Sequence, residues 1–271
     1  MTRLLVPAAL AVTVSSTPAP DPPSACPDDM VEIEGASCPW VDQYCLRFVD
    51  PRHPENDRCA EFSIGVRCEG VTTPRHFCID RYEWPNQPGV KPEVAVDWID
   101  ARERCAGLGK RLCTEAEWTL ACEGPERLPY PYGYARNPAA CNIDRPYILP
   151  DEPRWQDPRT RPAELARLDQ REPSGARDSC VSPYGVYDMT GNVDEWVVNE
   201  SGRTDDKPYV SGLKGGYWGP VRDRCRPMTT DHNQTYIYYQ IGFRCCGEVI
   251  APAAQAPGAD VLNRLDRLDR P

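Results

Sequence analysis

The stretch Tyr184-Gly-Val-Tyr-Asp-Met-Thr-Gly-Asn-Val-Asp-Glu-Trp196 decides more about this chain than any other. Downstream of it lie Lys214-Gly-Gly-Tyr217 and Gly242-Phe-Arg-Cys245, and between Lys214 and Arg244 there is one cysteine, Cys225. Outward from these motifs the chain runs to 271 residues, enough to bury a sizeable core as one domain or one domain with a small appendage. Thirty Pro and nineteen Gly, against four Phe and four Met, predict a loop-rich domain with short strands in which long helices do not dominate. A net charge of −10 and a pI near 4.9 argue against a nucleic-acid partner held through phosphate contacts.

Fourteen cysteines is an even and high number for this length. A zinc framework would need close pairs, yet no Cys-x-x-Cys occurs, and the three His (His53, His76, His232) are scattered. Disulfides are the expected use, which implies an oxidising compartment. The N-terminus agrees: Arg3, the apolar run Leu4 to Val14 and the small, Pro-rich Ser15 to Ser24 read as a secretory signal and leader over 1–25. About eleven apolar residues are too few to span a bilayer. Cys26 after Ser24-Ala25 hints at a lipoprotein site, but it lies too far from the apolar run to be a good one. The expected location is secreted, periplasmic or cell-surface, and the expected state a monomer.

Five cysteines (Cys26, Cys38, Cys45, Cys59, Cys68) mark 26–74 as a stapled segment with little core of its own. Five is odd, so at least one pairs with a later cysteine. A globular pattern covers 75–250. Phe77-Cys-Ile79 reads as a short strand ending at Asp80, Asp97 as the cap of a helix from Trp98, and Thr114-Glu-Ala-Glu117 as a capping box for a helix that Gly124 ends. Residues 144–180, rich in Pro, Arg and Asp, read as a solvated surface excursion with a helix over Ala163 to Leu168. The Ala/Pro-rich tail, 251–271, reads as disordered.

Seven blocks carry a resemblance: Phe77-Cys-Ile-Asp-Arg-Tyr-Glu83, Val96-Asp-Trp98, Gly109-Lys-Arg-Leu-Cys-Thr-Glu-Ala-Glu-Trp118, Tyr130-Pro-Tyr-Gly133, Gly185 to Trp196, Lys214-Gly-Gly216 and Gly242-Phe-Arg244. In this order and spacing they resemble the formylglycine-generating-enzyme family, the sulfatase-modifying factors, over about residues 75–246. The resemblance implies an irregular, loop-rich α+β fold of the C-type-lectin-like superfamily. It also implies two disulfides, Cys105–Cys245 and Cys122–Cys225. Each would close a loop of more than about a hundred residues, contributing on the order of 4–5 kcal/mol by loop entropy. Cys113, Cys141, Cys180 and Cys246 are additions to the family pattern, and Cys246, next to Cys245, is expected to pair elsewhere.

The resemblance further implies structural Ca2+. One ion would take the Asp188 side chain, the Gly191 and Val193 carbonyls and the Glu195 carboxylate; a second would start from Asn142-Ile143, with its acidic ligand inside the 144–180 insertion. Hard cations want several oxygens, and a tight turn can point carbonyls inward. Asp194 stands where the family usually has Trp.

Active members of the family oxidise a substrate cysteine with copper and oxygen, using two thiolates to bind Cu(I). Here only Tyr217-Trp-Gly-Pro-Val-Arg-Asp223 separates Gly215-Gly216 from Arg224-Cys225, and it contains no thiol. Copper is therefore not expected, nor is formylglycine formation by that route. Nor does the chain offer the His-rich iron motif of the ergothioneine-pathway branch. What remains where the substrate groove should lie is Arg222-Asp-Arg224, Arg226 and Asp231-His232-Asn233, with Trp218, Tyr236, Tyr238 and Tyr239 nearby. Arg and aromatic side chains suit a peptide, protein or glycan ligand. Arg224 and His232 are the candidate catalytic groups of the alternative, an oxidoreductase with a divergent site acting on a protein or peptide. Asn199-Glu-Ser201 and Asn233-Gln-Thr235 match glycosylation sequons, too common a pattern to weigh.

Overall fold

The computed structural model describes residues 25–200 and 209–250. The signal and tail read from the sequence lie outside that range, apart from Ala25. The first strands are β1 (Met30–Ser37), β2 (Trp40–Val41), β3 (Cys45–Phe48), β4 (Cys59–Phe62), β5 (Cys68–Glu69) and β6 (Thr73–Asp80). Then come helix α1 (Trp98–Gly107), β7 (Arg111–Leu112) and α2 (Glu115–Glu123), followed by the short helices α3 (Glu152–Gln156) and α4 (Arg161–Leu168). The chain closes with β8 (Asp194–Val198), β9 (Ser211–Lys214), β10 (Met228–Thr229), β11 (Ile241–Phe243) and β12 (Cys245–Gly247). The architecture is mixed α and β, irregular and rich in loops.

Two four-stranded sheets organise it, one in the order β1-β6-β12-β7 and the other β10-β9-β8-β11. In the first, β1 pairs with all of β6, Met30 opposite Asp80 and Ser37 opposite Thr73. The Cys-rich N-terminal segment thus supplies a strand of the central sheet, and its Ile33 is fully buried beside Phe77, Ile79 and Trp118. Alternation explains this, since Val31 and Ile33 face inward together. The rest of that segment forms two small ribbons, β2–β5 and β3–β4.

Both predicted helix starts are capped. The Asp97 side chain accepts from the Asp100 N–H at 2.8 Å. Thr114 and Glu117 exchange bonds, Oγ1 accepting from the Glu117 N–H at 3.3 Å and Oε2 from the Thr114 N–H at 2.9 Å. The insertion is more than a solvated excursion. Trp155 on α3 and Leu168 on α4 are buried against Val193, Tyr217, Trp218 and Tyr239. An indole in a Pro- and Arg-rich stretch gives no periodic signal, so only the fold reveals that this excursion carries a core of its own.

All fourteen cysteines are paired. Cys105 bonds Cys245 and Cys122 bonds Cys225, the two pairs that the resemblance implies. Cys26–Cys78 ties the N-terminal segment to β6, while Cys38–Cys68 and Cys45–Cys59 staple the ribbons. Cys246 bonds Cys113, and Cys141 bonds Cys180. Neighbouring residues of a strand face opposite ways, so Cys245 and Cys246 reach partners on opposite sides of β12. Cys105–Cys245 spans 140 residues. Replacing both by Ala is expected to cost about 4–5 kcal/mol in urea unfolding, by the loop-entropy relation; a loss under about 1 kcal/mol would show that the denatured chain is not constrained by this bridge.

Candidate functional site

At the junction of the two sheets lies a buried ion pair. Arg244 occupies the single position between β11 and β12, so the chain changes sheets there. Its Nε and Nη2 donate to Glu195 Oε2 and Oε1, both at 2.6 Å, and Trp118 Nε1 donates to Oε2 at 2.8 Å. Nη2 also donates to the Tyr187 carbonyl at 3.0 Å. Arg244, Glu195 and Trp118 are all essentially inaccessible to solvent.

Glu83 and Asp188 share this interior. Burial pushes both carboxyls up, and negative neighbours add to it: Asp188 and Glu195 act on Glu83, while Glu195 and Glu172 act on Asp188. Three buried carboxyls therefore surround one guanidinium. Glu83 accepts from Asn192 Nδ2 and Ser174 Oγ, and Asp188 from the Gly175 N–H at 2.7 Å. Gly191, with φ of +79°, lies so close to the Asn142 carbonyl and Ile143 that a Cβ would collide with both. The turn from Asp188 to Glu195 is in this way pressed onto Asn142-Ile143.

These contacts bear on the two calcium positions. Among the described residues no group of three or more His, Cys, Asp or Glu side chains is placed to hold a metal ion. At the second position a guanidinium takes the place: Arg145 Nε donates to Asn142 Oδ1 at 2.9 Å, and Arg145 and Arg177 both pair with Glu172. The residues there do not fit a calcium ion. At the first position Glu195 is turned to Arg244, and the Asp188 carboxyl with the Gly191 and Val193 carbonyls would be the oxygens left to an ion. Their fit rests on the excess of buried negative charge.

The sequence motifs Lys214-Gly-Gly216 and Arg224-Cys225 bracket the loop that joins β9 to β10. Lys214 is fully buried, its Nζ donating to the Arg226 carbonyl at 2.8 Å and lying 5.3 Å from the centre of the Trp118 ring. Burial pulls its ammonium down to about 7. Arg136 clamps the loop from beneath, donating to the Val221 and Arg222 carbonyls and pairing with Asp223. Cys225 is tied to Cys122 at the end of α2, and Arg226 pairs with Glu123 at 2.7 Å.

Along this loop runs a cleft of two adjoining cavities, of about 490 and 890 Å3. Asp57, Arg222, Arg224 and Pro227 border both. The facing wall comes from the N-terminal segment: Glu55 to Arg58 for the smaller cavity, Ser37 to Gln43 for the larger. Asp194, in place of the family's Trp, lines the smaller cavity, where burial pushes its carboxyl up to about 7.

Arg224 thus lies in the cleft, paired with Asp57. His232 does not line it. Its ring stacks on Tyr236 with centroids 3.9 Å apart, and Tyr236 stacks on Tyr238. Trp218 and Tyr239 pack against the insertion. The structure therefore separates the two candidate catalytic residues and brings Arg222, Arg224 and Arg226 together. Asp57, Gln43 and Arg136 were not singled out from the sequence, because no motif or spacing ties them to the loop.

A sulfatase-modifying factor enzyme 1-like domain matches residues 58–249. The chain belongs to this family. It is 31% identical over 180 residues to the protein named inactive C-alpha-formylglycine-generating enzyme 2 of Bos taurus, a match covering 62% of this chain and 52% of that protein. It is 34% identical over 189 residues to the formylglycine-generating enzyme of Bos taurus, covering 58% and 44%. The chain thus spans about half the length of these relatives. The solved structure of PvdO from Pseudomonas aeruginosa has a TM-score of 0.53 over 83% of this chain and 97% of that one, at 20% identity. That likeness concerns the fold alone.

Arg244→Met would leave Glu195 buried without its counter-charge, and a loss of about 3–5 kcal/mol is expected. Urea midpoints of the single variant and of Arg244→Met combined with Glu195→Gln test this, the double variant recovering part of the loss. A single-variant loss below about 1 kcal/mol would refute the central role given to the pair.

Proposed function

We infer that this chain is a disulfide-stapled domain of an oxidising compartment that binds a ligand in the cleft beside Gly215 to Thr229 and does not generate formylglycine by the copper–cysteine route. One observation carries this reading. The loop that would hold the copper thiolates has none, and its single flanking cysteine is bonded to Cys122. In place of thiols it presents Arg222, Asp223 and Arg224 to a cavity of ligand size. The resemblance to a protein named inactive supports the reading as well. Seven disulfides support the oxidising compartment. No helix among the described residues is long and apolar enough to cross a membrane.

The test is direct. Purified chain, denatured without reductant, is expected to show no titratable thiol, to retain no Cu(I), and to leave a cysteine-containing sulfatase peptide unoxidised under oxygen. Oxygen consumption with stoichiometric aldehyde formation would establish the oxidoreductase alternative instead.

Calcium belongs to the same proposal, at the first position only. An ion held by Asp188 with the Gly191 and Val193 carbonyls would offset the buried negative charge that Arg244 alone leaves uncompensated, while Arg145 fills the second position. Calorimetric titration of EDTA-treated protein is expected to give one Ca2+ per chain, with binding lost in Asp188→Asn and kept in Arg145→Lys. Two ions per chain, or none, would contradict this.

A further inference from the structure

The cleft contains five arginines: Arg58, Arg75, Arg222, Arg224 and Arg226. Four face carboxylates. Arg58 pairs with Asp144, Arg75 with Glu200, Arg224 with Asp57 and Arg226 with Glu123. Arg222 makes no ion pair among the described residues; its Nη2 donates to Thr229 Oγ1 at 2.9 Å, and it stands where the two cavities meet. In a chain with ten more acidic than basic charges, an arginine left without a carboxylate at the centre of a cleft is set aside for an anion from outside.

A second, independent observation concerns the walls. Among the described residues four buried side-chain polar atoms have no hydrogen-bond partner, and three of them belong to residues lining the smaller cavity: Arg58 Nε, Arg224 Nε and Asp223 Oδ1. Buried polar atoms without partners are costly and rare in native structures, and three around one cavity mark a place where a ligand completes the bonding. The Asp223 side chain is fully buried, with Oδ1 set so close over Gly216 that no Cβ would fit there. The missing partners are of both kinds, acceptors for the two Nε–H groups and a donor or acceptor for Asp223, whose carboxyl burial pushes well up.

A peptide backbone offers alternating C=O and N–H groups at such a surface. A sugar ring also offers both, but sugar sites usually stack the ring on an aromatic side chain, and no aromatic residue lines the smaller cavity. The larger one adds apolar surface from Trp40, Leu120 and Met228, which suits side chains of a bound segment.

We propose that the cleft binds an extended peptide whose carboxylate, from an acidic side chain or a free C-terminus, is captured by Arg222, while its backbone meets Arg58, Arg224 and Asp223. This deepens the binding reading above and rests on it. The Asp57–Arg224 pair joins the two walls where the cavities meet, so the peptide passes over or displaces it.

The experiment uses the full chain and three hexapeptide libraries: free C-terminal acids, C-terminal amides, and amides without Asp or Glu. Retained peptides are identified by mass spectrometry, and the best is resynthesised and titrated against the wild type, Arg222→Gln and Arg222→Lys. Retention from the first library alone assigns a C-terminal carboxylate; retention from the first two but not the third assigns an acidic side chain. Arg222→Gln is expected to weaken the best peptide about tenfold or more, Arg222→Lys less, and 0.5 M salt by several-fold. Melting temperatures should stay near wild type in both variants, since Arg222 holds no ion pair.

Equal retention from the third library, or an affinity for Arg222→Gln within twofold of wild type, overturns the carboxylate assignment and leaves the binding reading standing. A neutral oligosaccharide that binds in place of every peptide overturns the peptide assignment. No retained peptide, together with oxygen consumption on a thiol peptide, sinks both.

Discussion

The ion pair between Glu195 and Arg244 is the constraint on which the rest of this structure depends. Arg244 sits where the chain leaves one sheet and enters the other, so its guanidinium fixes the angle and separation of both. Taking two charges out of water is expensive, and geometry has to offset it. Here both carboxylate oxygens are used, the indole of Trp118 adds a third bond, and backbone carbonyls take up remaining guanidinium protons. Disulfides at Cys245 and Cys246, directly beside Arg244, hold the crossover from both sides. Few regular elements are needed when one point is fixed this firmly, which is how a domain of short strands and long loops keeps a single shape.

The same arrangement explains why the β9–β10 loop can differ so much from that of catalytically equipped relatives without loss of fold. Its ends are set by strand pairing, Met228 opposite Lys214, and by Cys122–Cys225. Its middle is carried by Arg136, which grips two carbonyls and the Asp223 carboxyl from below. What the loop shows to the cleft is therefore free to change, and polar groups stand there instead of thiols. The N-terminal segment supplies the opposite wall, made rigid by its own disulfides because it has too little apolar surface to stay ordered alone.

Guanidinium groups recur wherever the fold buries acid. Arg145 and Arg177 bracket Glu172, Arg226 meets Glu123 and Arg244 meets Glu195. A planar fork that donates several bonds in fixed directions can do part of what a hard cation does in holding a carboxylate and nearby carbonyls. At Asn142 the fork of Arg145 meets both the side-chain amide oxygen and an acid thirty residues away, which ties the insertion to the turn beneath it.

Much of this was readable from residues alone. The motif from Gly185 to Trp196, with its companion blocks, carries the family and hence the fold, because Gly191 and Asn192 are demanded by a turn pressed against Asn142. Capping chemistry at Asp97 and Thr114 is local, so the sequence states both helix starts. The lack of a thiol between Gly216 and Arg224 is likewise a property of sequence. The contents of the cleft are not. Asp57 and Arg224 lie 167 residues apart, Arg222 differs from its neighbours only in what fails to face it, and His232 is excluded by where its loop turns. Partnerships across such separations follow from packing and leave no periodic trace, so the sequence determined which chemistry is missing and only the tertiary structure decided which residues stand in its place.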